Sequence, residues 1–488
     1  MKWLYERAHT HRERLFLNEY SYGDVFTLTI ATAKRLAPHL RGESRIALWA
    51  ENSVSMAIHL FALSALGIET VLLNTNLTER EVTEQMESTG VRTLLMSEKM
   101  TQMLRAQKVA DDMEITDVST YEYSHNQVDR QYLCFSTCID TDFKAISPMH
   151  NDENLDWNPT DEKVFCIINT SATTGKFKSV PVRWLQIEAH VKASANVLGV
   201  EEHDNWLVVL PMFHVSGLSI ILRTLYNGTR AIIREKFSEQ VVLEALETED
   251  VTMVSLVPTV LQRIVERIQA PTLRAILLGG EFIPMPLLQE CVQRNLPVYK
   301  TYGMSETFAQ STTFSIQEHP NKLASVGYPL QGVTIEIRNP DEEGVGEVWL
   351  LSPMLMKGYL NKEPIKGAFN TDDIGYVDED GFLYLLNRRK DIIISGGENI
   401  YPKEIEDVLY GMNGILECAV IPVSDPKWGQ VPVLCVVTNC SEEDISQYLL
   451  SRLAKYKVPK RMIYFDALPK NSMGKILRQD LIHTVERT

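Results

Sequence analysis

Ile168-Asn169-Thr170-Ser171-Ala172-Thr173-Thr174-Gly175-Lys176-Phe177-Lys178 follows directly on the apolar run that starts at Val164. A short apolar run bounded by polar residues reads as a buried strand. Four hydroxyl residues, one glycine and two lysines then make a polar loop. Such a loop suits a polyphosphate, because backbone N–H groups, hydroxyls and a lysine point charge can all face phosphate oxygens. It is not the nucleotide loop of the P-loop NTPases, where Thr170 would have to be glycine and Phe177 serine or threonine. A Ser/Thr-rich stretch by itself is most often a solvated turn, so its neighbours decide the matter.

Upstream, strand and helix alternate. Arg45 to Ala50 reads as a strand, Ser53 to Leu66 as a helix ending at Gly67, and Thr70 to Leu73 as a strand. Thr78 to Ser88 reads as a helix with Arg80, Glu84 and Glu87 on a polar face, and Val91 to Met96 as a third strand. This order predicts a parallel sheet covered by helices. From Ser97 to Asp161 polar residues dominate and no element is assigned. Downstream, the polar loop is followed by a helix over Trp184 to Leu198. A strand over Trp206 to Leu210 then enters Pro211-Met212-Phe213-His214-Val215-Ser216-Gly217. Thr252 to Val257 and Arg274 to Leu278 continue the strands, with a helix over Thr259 to Ile268 between them, and the second ends at Gly279-Gly280-Glu281. Val298 to Thr301 leads into Tyr302-Gly303-Met304-Ser305-Glu306. Ligands of open α/β sheets bind at strand ends, where glycines allow close approach. Beyond Gly327, Val333 to Ile337 and Gly346 to Leu350 alternate as antiparallel strands do. A charge cluster at Asn387 to Asp391 marks a boundary before about a hundred further residues, with helices expected at Pro402 to Tyr410 and Glu442 to Leu453.

The 488 residues suit a large domain plus a smaller one. A formal charge of -16 argues against a nucleic-acid or anionic-membrane partner, although a few local cations can still bind phosphate. The seven cysteines are scattered without zinc-site spacing, which suits reduced thiols in a cytoplasm. Neither a signal peptide nor an apolar run of membrane-spanning length is evident, so no membrane insertion is expected.

Taken in order, these motifs resemble the ANL superfamily of adenylate-forming enzymes, which holds acyl- and aryl-CoA ligases, luciferases and adenylation domains. The resemblance covers nearly the whole chain. It implies an α/β fold: a large N-terminal domain of α/β sheets with helices and a smaller β-barrel-like part, plus a small mobile α+β C-terminal domain. The expected boundaries are residues 1–388 for the ATP and acyl site, a hinge at 389–390 about Lys390, and residues 391–488. The family loop reads Thr-Ser-Gly-Thr-Thr-Gly-x-Pro-Lys-Gly. Thr170, Ser171, Thr173, Thr174 and Lys178 keep its phosphate-binding groups, while Ala172, Phe177 and Ser179 replace two glycines and a proline.

The resemblance further places Gly280 and Glu281 at the nucleotide, Tyr302 on adenine, Ser305 at the α-phosphate and Glu306 on Mg²⁺. Asp373 and Arg388 would bind ribose, with Asp372 standing where glycine is usual and expected to point away. Gly396 to Ile400 and Pro402 to Glu406 would shape the CoA thiol channel. Lys475, in Pro469-Lys470-Asn471-Ser472-Met473-Gly474-Lys475, would catalyse adenylation. His214 would line the acyl pocket, with general-base work as a weaker second role.

The implied substrates are ATP, CoA and a carboxylic acid. Leu72 to Leu77, Pro211 to Gly217 and Ile394 to Tyr401 look most like the branch whose acid carries two carboxylates and a ketone. Arg223 is then a candidate to pair the second carboxylate, and a plain surface arginine is the alternative. Coumarate-like and medium-chain CoA ligases share most of these motifs. A non-catalytic nucleotide-binding relative is the competing class, and a homo-oligomer is left open.

Overall fold

Ser53 and Thr78 show how locally these elements are set. Each ends an extended segment, and its hydroxyl accepts from the backbone N–H of Met56 or Glu81 to start a helix. At Thr78 the Glu81 carboxylate reciprocates, completing a capping box. The computed structural model describes residues 1–106, 115–117, 131–135, 155–170, 177–235, 237–281, 283–388, 393–395, 398–425, 428–453, 455–471, 474 and 476–486.

The first sheet has seven strands in the order Ile115–Asp117, Gln131–Phe135, Thr93–Ser97, Arg45–Trp49, Glu69–Leu72, Val164–Thr170 and Lys178–Arg183. All neighbours are parallel except the last two, which form an antiparallel hairpin. The polar loop is therefore a hairpin connection. The expected passage from loop to helix is corrected by the strand Lys178–Arg183, which contains Pro181. Proline is tolerated there because the strand is an edge. Within the stretch left unassigned, the helix Glu98–Ala106 and two of these strands are described.

The second sheet has nine strands: Tyr328–Pro329, Thr312–Ser315, Val298–Tyr302, Ala275–Leu278, Met253–Leu256, Asn205–Val208, Arg230–Ile233, Leu15–Leu17 and Tyr20–Ser21. Its middle is parallel and its two ends are antiparallel. The helices Tyr22–Leu36, Val54–Ala65, Trp184–Leu198 and Val215–Asn227 share one apolar core with both sheets, which joins Leu48 and Ile168 of the first to Phe16 and Val208 of the second. All twelve residues of Val54–Ala65 are buried, including the polar Ser55, His59 and Ser64 of an otherwise apolar helix.

A third, four-stranded antiparallel sheet follows, formed by Thr334–Arg338, Gly346–Leu351, Phe369–Val377 and Leu383–Arg388. It occupies the place of the expected barrel-like part. The last sheet has five strands, with Gly429–Thr438 at its centre and Ile415–Asp425 as its long edge strand. The helices Pro402–Tyr410 and Glu442–Leu450 pack in one apolar cluster on it, and Arg478–Glu486 packs in another.

Candidate active site

The hairpin strand Lys178–Arg183 sets Lys178 opposite Thr170, whose hydroxyl donates to the Lys178 carbonyl at 3.3 Å. Ser179, at a position where the family has glycine, is in extended strand. Its hydroxyl donates to Asn169 Oδ1 at 2.7 Å, and Asn169 Nδ2 donates to Gln85 Oε1 at 2.7 Å. The departure at Ser179 thus adds a side-chain clamp across the hairpin base. Ser171, Thr173 and Thr174 lie outside the described residues, as do Ala172, Lys475 and the expected hinge at 389–390.

Lys178 is brought to Glu306 through a residue that sequence reasoning missed. Its ammonium lies 4.9 Å from the centre of the Tyr359 ring, and the Tyr359 hydroxyl donates to Glu306 Oε1 at 2.8 Å. The cation–π contact and the hydrogen bond tie one positive and one negative group to a single side chain. The Glu306 backbone carbonyl is also held, accepting from Met356 N–H at 2.7 Å. Gly358-Tyr359, a glycine beside an aromatic residue in a loop, was the available signal.

Tyr302 ends a parallel strand of the second sheet, and its hydroxyl donates to Asp373 Oδ2 at 2.5 Å. Asp373 is only 5% exposed. Strand register puts it opposite Arg388, whose side chain lies outside the described residues. Asp372, the next residue back along the strand, is exposed where Asp373 is buried. Its φ of 62° is left-handed, which accounts for glycine being usual there. Gly303 has no room for a side chain, because a Cβ would come within 1.4 Å of the Ala309 carbonyl oxygen. That close turn presents Ser305 and Glu306, in the short helical turn Ser305–Thr307, beside Tyr302.

Gly280, with φ 88°, lies at the end of the strand Ala275–Leu278. Next to it, Glu281 is within reach of the chain's tail: a Cβ on Gly474 would sit 3.9 Å from Glu281 Oε1 and 3.1 Å from Thr259 Oγ1. A cavity of about 370 Å³ opens alongside, lined by Pro211, Phe213, Val257 and Thr259 and closed by Asn471 and Gly474. His214 is the N-cap residue of the helix Val215–Asn227. Burial lowers its pKa to about 4, so its imidazole is neutral at neutral pH.

Arg223, on that same helix, is 1% exposed and is not a surface arginine. Its Nη2 donates to Gln310 Oε1 at 2.8 Å and lies 3.2 Å from His190 Nε2, while the guanidinium sits 5.0 Å over the Trp206 ring. Nε and Nη1 are buried without a hydrogen-bond partner among the described residues. Desolvation lowers the pKa of Arg223 to about 9. It remains a cation at neutral pH, and no carboxylate pairs with it among the described residues.

A lysine-bearing hairpin, a tyrosine–aspartate pair at a strand end and a carboxylate held by a tyrosine suit a nucleotide-activating enzyme. The chain belongs to the AMP-binding enzymes: that family's model matches residues 4–360, and the model of the AMP-binding enzyme C-terminal domain matches residues 404–475. It is 50% identical over 481 residues to the 2-succinylbenzoate–CoA ligase of Lactococcus lactis, covering 99% of this chain and all of that one. Among solved structures it matches o-succinylbenzoate CoA synthetase from Bacillus subtilis in complex with its acyl-adenylate intermediate. There the TM-score is 0.85 at 32% identity, covering 98% of this chain and 97% of that one. A double mutant of the same enzyme bound with a product analogue gives a TM-score of 0.68 at 33% identity, covering 98% of both chains. The adenylate-forming class and its α/β fold, expected from the motifs, are those of the molecule.

Proposed function

We propose that this protein joins o-succinylbenzoate to CoA through an acyl-adenylate, releasing AMP and pyrophosphate, as a cytoplasmic step in menaquinone (vitamin K2) biosynthesis. The observation that carries the choice of acid is Arg223, a buried cation on the helix capped by His214, with two nitrogens unpartnered among the described residues. A second carboxylate is the complement such a group lacks. The relatives named above act on this acid according to their names, and the whole-chain coverage supports carrying it over.

The reacting groups are both anionic, so the protein must neutralise charge and align the reactants rather than supply a nucleophile. We assign Lys178 and the hairpin hydroxyls to the β- and γ-phosphates. Asp373 accepts from the ribose hydroxyls, oriented by the Tyr302 hydroxyl, with Arg388 beside it. Glu306 fits Mg²⁺, since it offers a hard oxygen ligand aligned by Tyr359. No group of three or more His, Cys, Asp or Glu side chains gathers for a metal among the described residues, so substrate phosphates and water would complete the shell, as magnesium prefers. When bound there, Mg²⁺ neutralises the phosphates. Lys475 bridges the attacking carboxylate and the α-phosphate. The small domain then turns about Lys390, bringing Gly396 to Ile400 to the thiol channel, and the CoA thiol displaces AMP. His214 walls the acyl pocket as a neutral imidazole. No helix among the described residues is long and apolar enough to cross a membrane.

The test is AMP and pyrophosphate release with ATP, Mg²⁺ and CoA, comparing o-succinylbenzoate with benzoate, coumarate and hexanoate. Preference for o-succinylbenzoate is expected. Turnover with another acid alone refutes the substrate, and pyrophosphate release with none of them refutes the ligase reading for these acids.

A further inference from the structure

The residues on either side of Lys475 are held by two ion pairs that run to different elements of the small domain. Lys470 and Ile476 face each other across an antiparallel bridge, and Leu477 N–H donates to the Pro469 carbonyl at 2.9 Å. Gly474 N–H donates to the Asn471 carbonyl at 2.9 Å, closing the turn between them. On the incoming side, Lys470 Nζ donates to Glu417 Oε1 at 2.5 Å. On the outgoing side, Arg478 grips Glu406 with both Nη atoms, at 2.8 and 2.9 Å, and Nη1 also donates to the Val420 carbonyl at 3.0 Å. Glu406 Oε1 accepts in addition from Val420 N–H at 2.7 Å. The Glu406 side chain is 5% exposed, so the pair is nearly dry on that side.

A bidentate arginine–carboxylate pair fixes direction as well as distance, which one ammonium contact cannot do. Glu406 stands on the helix Pro402–Tyr410, at the end of the segment expected to shape the thiol channel, whereas Arg478 opens the helix Arg478–Glu486. The pair thus ties the tail turn to the frame of the thioester-forming face. The same turn meets the large domain at Gly474, whose left-handed φ of 87° lets it approach Thr259 and Glu281.

We infer that Arg478, with Glu406, is a positioning residue for adenylation: it aims the Lys470–Ile476 turn at the nucleotide site without touching substrate. The inference rests on the adenylating role proposed for Lys475. In the domain turn proposed above, thioester formation uses a second orientation of the small domain and does not need the turn aimed at the nucleotide.

The test measures the two half-reactions separately, in the full-length protein, for wild type, Arg478→Gln, Arg478→Lys and Lys470→Met. Acyl-adenylate formation is followed by pyrophosphate release, and thioester formation is started from supplied o-succinylbenzoyl-adenylate and CoA. A misplacement of about 1 Å can cost on the order of 100-fold, so Arg478→Gln should lose about that much in adenylation while thioester formation stays within about twofold. Lys470→Met should show the same split, and Arg478→Lys should recover part of the loss. Parallel loss of both half-reactions means that the pair only stabilises the domain, and overturns the inference. Unchanged adenylation in Arg478→Gln, beside an active wild type, also overturns it. A wild type that forms no adenylate overturns the proposed function and the inference together.

Discussion

Replacing Arg223 by methionine separates a substrate-binding cation from a structural one, because the two predict opposite signs. Burial lowers the pKa of this arginine from 12.5 to about 9. At about 1.4 kcal/mol per tenfold, that is a penalty of about 5 kcal/mol against the charged form. Charged Arg223 therefore carries the penalty at neutral pH, offset by its bonds to Gln310 and His190 and by the Trp206 ring. Methionine fills much of the same volume and removes the charge. The free protein should then keep its midpoint of thermal unfolding or gain a few degrees. The diacid should lose the partner of a buried carboxylate, worth about 3 kcal/mol or roughly 100-fold in kcat/KM. An acid lacking the second carboxylate should be unaffected. Nε and Nη1 are sealed from solvent, so neighbouring side chains must shift to admit the carboxylate. The assays are differential scanning fluorimetry and kcat/KM for o-succinylbenzoate against benzoate. Destabilisation by more than about 2 kcal/mol with an unchanged ratio of the two acids would refute the reasoning, since truncating a structural hydrogen-bonded cation costs on that scale.

Tyr359→Phe removes the hydroxyl that orients Glu306 but keeps the ring under Lys178; kcat should fall about tenfold and the Mg²⁺ concentration for half-maximal rate should rise, for loss of one hydrogen bond to a charged group. Gly303→Ala should abolish activity or folding, read by circular dichroism and pyrophosphate release, because its Cβ would overlap the Ala309 carbonyl. Asp372→Gly should leave adenylation unchanged, because the side chain is exposed where Asp373 is buried. Stability should fall as pH drops through the acid range, partly through His59, whose pKa burial lowers to about 4. The unfolded state binds that proton first, near pH 6.5, so the contribution is complete above pH 6.5 and is lost down to pH 4, about 3 kcal/mol in all. Urea midpoints at pH 7 and pH 4.5 for wild type and His59→Gln should show a smaller difference in the variant.

Elements whose causes lie within a few residues were legible in the chain. Thr78 and Glu81 cap the helix they begin, and Trp184–Leu198 has the predicted limits. Asp372 was expected to point away because a further carboxylate beside a polyphosphate is unfavourable, and its side chain is exposed. The strand Lys178–Arg183 was not legible, since whether Pro181 breaks a strand depends on its lying at a sheet edge, which sequence does not display. Tyr359 and Arg478 escaped for a related reason. Their partners, Glu306 and Glu406, lie 53 and 72 residues away and are joined only by the fold. Arg223 was flagged by its place after His214, but its burial among His190, Trp206 and Gln310 comes from three other elements.

The edge of the second sheet has a consequence for the order in which the molecule can be made. Leu17 pairs in parallel with Ala231, and Asn18 Oδ1 accepts from Ile233 N–H at 2.7 Å across 215 residues of chain. Tyr22, fully buried, donates to the Thr224 and Thr229 carbonyls at 2.9 and 2.8 Å. At a synthesis rate of ~5–20 residues per second, the strand Leu15–Leu17 waits ~10–40 s before its partner exists. During that time Phe16 and Leu17, which the finished sheet buries, are open to chaperones and to other nascent chains. Yield in the cell should therefore depend on the translation rate of the first half of the message, independently of how stable the finished enzyme is.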